Sequence, residues 1–284
     1  DPFLMQQATD VVARLDAREP WKVVASWSVR GSDRPDGSLP NANPAAVVVP
    51  ACQKGYVLRF NRNEIAVIDT AQRADAAAPI GSIDLSALLQ PGDRDGVVEM
   101  TSAVYVAAKR RLYVLLGNID LKSVASNGFT ALCAATKPTV IAIDTDTDQV
   151  VSLGGSGPGG GIALDGYNPP LGSPFWYDAA RDRLLVLSAG CNLDDGDGGA
   201  GPIAKRRVEE VDLATGQVKT LLSLDAQGFP SSFVFVDGTR AALAFFGQAF
   251  SWDPSQAALG PEIPGGLDFL THDGRGNVVG TRAT

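Results

Sequence analysis

Three cysteines, one histidine and a scatter of carboxylates are the side chains of this chain with chemistry to offer. With His272 alone, no pair of imidazoles can share a metal, and a Ser-His-Asp triad would have to use this residue. No G-x-S-x-G turn is present to expose a nucleophile, so His272 reads as a structural or surface residue. Cys52, Cys133 and Cys191 show neither CxxC nor CxxCH spacing, which leaves zinc and c-type haem unsupported. The segment Asn192–Gly199, NLDDGDGG, sets Asp194, Asp195 and Asp197 among glycines. Hard cations take several oxygen ligands from a tight turn, which makes these three acids candidate calcium ligands. The EF-hand spacing is absent, and an ordinary solvated loop has the same composition. Gly154–Gly161, GGSGPGGG, lacks the Lys-Ser/Thr of a phosphate loop and reads as a linker inside an insertion.

Charge and hydropathy remove whole classes of partner. The net charge is −8 with a pI near 4.7, and the basic clusters stop at Lys109-Arg110-Arg111 and Lys205-Arg206-Arg207. A nucleic-acid partner needs a larger basic footprint, so none is expected. No apolar run reaches the ~20 residues of a membrane-spanning helix. The chain starts at Asp1 rather than Met, with no lipid-acceptor cysteine there, and reads as a processed, mature form. Extracellular, periplasmic or outer-surface localisation is expected.

Positioning these side chains falls to a recurrent pattern. VARLDARE (Val12–Glu19), AVIDTAQR (Ala66–Arg73), IAIDTDTD (Ile141–Asp148), EEVDLATG (Glu209–Gly216) and FSWDPSQA (Phe250–Ala257) each run from an apolar strand into an Asp and a polar tetrad. An Asp there accepts backbone N–H groups just ahead of it and starts a tight turn, so each copy predicts a hairpin. A second turn series interleaves with the first: PACQKG (Pro50–Gly55), AAKRR (Ala107–Arg111), DAARDR (Asp178–Arg183), DGTR (Asp237–Arg240) and DGRG (Asp273–Gly276). Each repeat is therefore four antiparallel strands, A to D, and radial repetition of such sheets makes a β-propeller, an all-β fold.

Tyr56-Val57, Asn61, Asn63 and Ile65–Ala71 resemble the YVTN repeat of bacterial β-propellers, with Leu58-Arg59 in place of the usual Thr-Asn. The resemblance is to surface or secreted propellers of myxobacteria and their relatives, and it implies the fold rather than a chemistry. The expected blades are Ala45–Leu85, Glu99–Leu164, Phe175–Leu224 and Ser231–Gly260. A fifth blade is expected from the two ends, residues 1–30 and 265–284 closing the ring of one domain spanning 1–284. In that fifth blade, Asp1–Asp10 reads as a loose leader or a short capping segment, Val11–Leu15 and Trp21–Val29 as strands C and D, and Leu267–His272 and Asn277–Arg282 as A and B. Six blades result if Gly154–Gly172 hides one.

In this arrangement A–B and C–D turns share one face, and B–C and D–A connections share the other. Nearly all the long insertions fall on the second face: Gly92–Val98, Gly117–Pro138, Gly154–Pro174, Ala189–Lys205 and Gly260–Gly266. Repeat proteins commonly bind on the face that carries their insertions, so this is the expected working surface. Cys133 and Cys191 sit on it in neighbouring B–C insertions, where a disulfide between them is expected, with two free thiols as the alternative; Cys52 lies on the opposite face and is expected to be unpaired. Tyr167, Asn168 and Trp176, around NPPLGSP, could stack on a sugar or anchor a partner there. Trp21, Trp27, Trp252 and Phe245-Phe246 read as packing between blades. Glu99 and Asp268, near the starts of A strands, could serve a glycan hydrolase or lyase if the carboxyls faced each other across a channel. Two readings follow: a non-catalytic secreted or cell-surface binder of a protein or glycan, with a subunit of a larger assembly as its variant, or a propeller enzyme.

Overall fold

The computed structural model describes residues 2–19, 21–31, 41–124, 131–171, 175–194, 200–272 and 275–281. Among them the strands assemble into six antiparallel sheets. The first holds β1 (Phe3–Gln6), β2 (Val11–Leu15) and β3 (Val23–Ser28). The second holds β4 (Pro44–Ala51), β5 (Lys54–Arg59), β6 (Glu64–Ile68) and β7 (Gly81–Asp84). The third holds β8 (Met100–Val106), β9 (Arg111–Leu116), β10 (Thr139–Asp144), β11 (Gln149–Val151) and β12 (Ile162–Ala163), with β11 and β12 both paired to β10. The fourth holds β13 (Phe175–Asp178), β14 (Arg183–Asp194), β15 (Ala200–Asp212) and β16 (Val218–Ser223). The fifth holds β17 (Ser232–Asp237), β18 (Arg240–Phe245), β19 (Gln248–Trp252) and β20 (Glu262–Ile263), and the sixth holds β21 (Phe269–His272) and β22 (Val278–Thr281).

The recurrent Asp residues make the turns. Asp16, Asp69, Asp144, Asp212 and Asp253 each accept, through Oδ1, the backbone N–H two residues ahead, at 2.8 to 2.9 Å. Asp144 and Asp212 also accept the N–H three residues ahead, at 3.1 and 2.8 Å. The same device recurs in the second series at Asp178 and Asp237. Backbone donors favour the ionised form and hold the Asp16, Asp144 and Asp212 carboxyls below their ordinary range.

Alternation then distributes side chains between neighbouring sheets. In β5, Tyr56 and Leu58 pack with Met100, Leu112 and Val114 of the third sheet, whereas Val57 packs with Val12 and Trp27 of the first. In β9, Leu112, Val114 and Leu116 face the second sheet, and Tyr113 and Leu115 face the fourth. Both faces of the middle strands are buried, so they read as continuous apolar runs. Each such side chain removed from water contributes about 1.5–3 kcal/mol. The first strands of successive sheets pack in chain order, β1 on β4, β4 on β8, β8 on β13, β13 on β17 and β17 on β21. On the short-turn side Lys54 pairs with Asp148 and Lys109 with Asp182, each at 2.7 Å, linking consecutive sheets.

The two ends differ from expectation. Among the described residues no strand pairing joins β21–β22 to β1–β3, so the ends do not form one four-stranded sheet. The reason lies in the segment expected to be a loose leader. Asp16 marks β2–β3 as a C–D pair, and β1 already occupies the B position beside β2. That is the edge β22 was expected to fill. Trp21 is also corrected: it is 91% exposed rather than packed between sheets. Trp27 and Trp252 are buried, as read.

Candidate binding face

The expected loop Ala189–Lys205 is instead a continuation of the fourth sheet. β14 and β15 run on as a paired hairpin through Asn192 opposite Ile203 and Asp194 opposite Ala200. The insertion after β9 docks on this hairpin through one parallel bridge, Leu132 beside Asn192: Asn192 N–H donates to Ala131 O and Cys133 N–H to Asn192 O, both at 3.0 Å. Cys133 and Cys191 are joined in a disulfide with their Cα atoms 4.9 Å apart, and Cys52 is free and exposed. Arg206 adds a further tie by donating from Nε to Ala189 O at 3.0 Å and from Nη1 to Gln227 O.

Of the ring-bearing residues expected to meet a ligand, neither stands free on the surface. Tyr167 is 1% exposed and packs with Ile119 and Cys191. Trp176 is half-buried between the fourth and fifth sheets, and its indole N–H donates to Phe233 O at 2.9 Å. Asn168 does line a cavity of about 340 Å³, with Ala131, Gly190, Asn192, Arg206 and Phe229. Of the calcium candidates, Asp195 and Asp197 lie outside the described residues, and Asp194 ends β14.

An exposed aromatic surface adjoins that cavity through Phe229. Phe229, Phe246 and Phe269 are 44%, 61% and 48% exposed. Phe229 stacks on Phe246 with ring centroids 6.1 Å apart, and Phe246 meets Phe269 edge-on at 6.5 Å. The three come from the connection before β17, the β18–β19 turn and the start of β21. Reading Phe245-Phe246 as one core pair is therefore half right: Phe245 is buried and Phe246 is not. A signal was available. Phe245 pairs with Gln248, which leaves Phe246-Gly247 as a two-residue turn, with Gly247 at φ 90°.

Glu99 stands just before β8, and Asp268 just before β21. The β13 and β17 strands lie between β8 and β21 in the packing order. Each acid is engaged by a backbone donor, Glu99 Oε2 by Ile119 N–H at 2.8 Å and Asp268 Oδ1 by Gly247 N–H at 2.6 Å. Another deeply buried acid, Glu209, accepts the N–H groups of Asp165 and Gly166 at 3.0 and 2.9 Å. Burial raises its carboxyl above the usual range despite those donors. A folded-state value above the unfolded one means that the native state binds this proton more tightly. Its contribution is thus fully present below the ordinary carboxyl range and is lost as pH rises through the folded value. Relative to the parent chain, Glu209→Gln should fare better in urea at about pH 7 than at about pH 4; an equal effect at both pH values would remove Glu209 as a source of the pH dependence.

No family model and no curated protein sequence matches the chain. Solved structures do. A Kuenenia stuttgartiensis hydrazine synthase chain aligns with a TM-score of 0.66 at 14% identity, over 99% of this chain and 80% of that one. A luciferin-regenerating enzyme aligns at 0.57 and 11% identity, over 94% and 74% of the two chains. The β-propeller domain of Myceliophteria thermophila Cps50 (Swd1) aligns at 0.53 and 12% identity, over 94% and 72%. The fold is that of a β-propeller. At these identities the likeness extends to fold alone, and the YVTN resemblance stays a matter of the repeat residues.

Proposed function

We propose that this chain is a non-catalytic binding propeller of an extracellular, periplasmic or outer-surface compartment, which engages a protein or glycan through the face of long connections. The observation that carries this reading is the Phe229–Phe246–Phe269 patch. Exposed aromatics presented together are the usual anchors of interfaces and also stack on sugar faces. Beside them, the disulfide, the extended hairpin and Arg206 hold the surface in one shape before a partner arrives, which limits the ordering cost of binding. The Cys133–Cys191 bond fits an oxidising compartment.

The test is affinity capture from an extracellular fraction, run beside a glycan array, with the intact chain and a Phe229→Ser/Phe246→Ser/Phe269→Ser variant. Phe246→Ala alone should weaken binding by about 2 kcal/mol, roughly 30-fold, and the triple variant should abolish it. Unfolding midpoints should hardly move, because these residues are 44 to 61% exposed. A partner retained in full by the triple variant sinks the assignment of the face.

A further inference from the structure

The connection from β7 to β8 reads PGDRDGVVE over Pro91–Glu99. The carboxylate oxygens of Asp93 and Asp95 lie within 4.8 Å of each other and of an oxygen of Asp120, from the insertion after β9. Asp95 and Asp120 are buried. Backbone donors set their orientation: Asp95 and Gly96 N–H on Asp93 Oδ1, both at 3.2 Å, and Val97 and Leu121 N–H on the two oxygens of Asp95, at 2.9 and 2.7 Å. Arg94 Nε meets Asp120 Oδ2 at 2.7 Å. Those contacts alone describe only an acidic loop.

Glu99 adds an independent observation. It is fully buried at a backbone φ of 41°, and Oε2 accepts the Ile119 N–H while Oε1 has no hydrogen-bond partner. Its carboxyl lies close enough to Asp95 and Asp93 to feel their charges, which puts it beside the same cluster. Asp93 Oδ2 is likewise buried without a partner. Buried carboxylate oxygens without donors call for protons or for a cation. Burial first, then the charges of Asp95 and Asp93, push the Glu99 carboxyl well above its usual range.

We propose that Asp93, Asp95, Glu99 and Asp120 hold a calcium ion that ties the β7–β8 connection to the insertion after β9. The donor set is all oxygen, without imidazole or thiolate, which selects a hard cation. Carboxylates drawn from two loops suit the adaptable sphere of calcium better than the fixed octahedron of magnesium. The site differs from the Asp194–Asp197 segment and does not depend on the aromatic patch.

The test is calorimetric titration of the intact, EDTA-stripped chain with calcium chloride, with thermal melts in EDTA and in calcium. A saturable heat and a calcium-dependent rise in melting temperature are expected. Terbium should give luminescence excited through tyrosine, since Tyr167 lies close enough to feel the charges of Asp120 and Glu99, and calcium should quench it by displacement. Glu99→Gln keeps the volume and an acceptor for Ile119, and should weaken calcium by about tenfold or more without lowering the melting temperature in EDTA. Asp93→Asn, at a half-buried position, gives the same reading should Glu99→Gln fold poorly. Asp195→Asn/Asp197→Asn should leave the affinity unchanged. Absence of a saturable heat, a heat indifferent to both Glu99→Gln and Asp93→Asn, or binding lost only with Asp195 and Asp197 overturns the proposal. Stability that rises with acid and ignores calcium would assign the cluster to shared protons instead.

Discussion

Trp27→Ala should destabilise this protein by about 3–5 kcal/mol, the range for deleting a buried aromatic ring from a packed core. Trp27 is fully buried in β3 and packs with Val12 and Ala25 of its own sheet and with Val57, Ala66 and Ile68 of the next. Phe3 lies against the ring at 6.1 Å between centroids. This seam also carries a bridge from Trp27 to Ala77, with Ala77 N–H donating to Ser26 O and Ser28 N–H to Ala77 O. The first sheet has only three strands and makes no strand pairing to the sixth among the described residues. Its attachment therefore leans on this one seam, and the loss of the ring should be felt there first. Urea unfolding measures the total, and hydrogen exchange locates it, with β1–β3 amides expected to lose protection ahead of the β9 and β14 amides. Trp27→Phe should cost less, because it leaves part of the volume filled. A loss below about 1 kcal/mol in Trp27→Ala would mean that the first sheet is held by something other than this core.

Removing the disulfide should be comparable. Cys133 and Cys191 are 58 residues apart in sequence, and in the chain-entropy account closing a loop of that size stabilises the native state by about 4 kcal/mol. The double variant Cys133→Ser/Cys191→Ser should show that loss in urea unfolding, and reduction of the parent chain should reproduce it, while the variant should be indifferent to reductant. The bond lies where the insertion after β9 lines up with the β14–β15 hairpin, above the cavity that reaches Asn168 and Phe229. Loosening it should also weaken partner binding, by altering the preformed face rather than any contact residue. Equal stability of the parent chain in oxidant and reductant would show that the docked insertion holds without its covalent tie.

Much of the architecture is written locally in the chain. Asp16, Asp69, Asp144, Asp212 and Asp253 each turn the backbone through a bond spanning two residues, so the type and spacing of the residues suffice to foresee it. Alternation in β5, β9 and β14 likewise declares strands buried on both faces. The boundaries of four sheets follow from these short-range rules, and so does the sharing of one face by Cys133 and Cys191.

What the chain does not declare is any arrangement that depends on competition between distant segments. The first ten residues carry no Asp-turn motif, yet β1 takes the place beside β2, and that one pairing prevents the ends from merging into a single sheet. A polar, glycine-rich stretch can be a loop or a hairpin; here the two arms of Ala189–Lys205 pair with each other, and Ala131–Cys133 adds two backbone bonds at Asn192. Phe229, Phe246 and Phe269 come from two connections and the start of β21, and Asp93, Asp95, Glu99 and Asp120 from two connections. Their proximity is set by how the sheets stack, through apolar contacts between residues tens of positions apart. Turns and strands obey forces acting within a few residues, which the sequence displays; a binding surface obeys the packing of whole sheets, which only the folded chain decides.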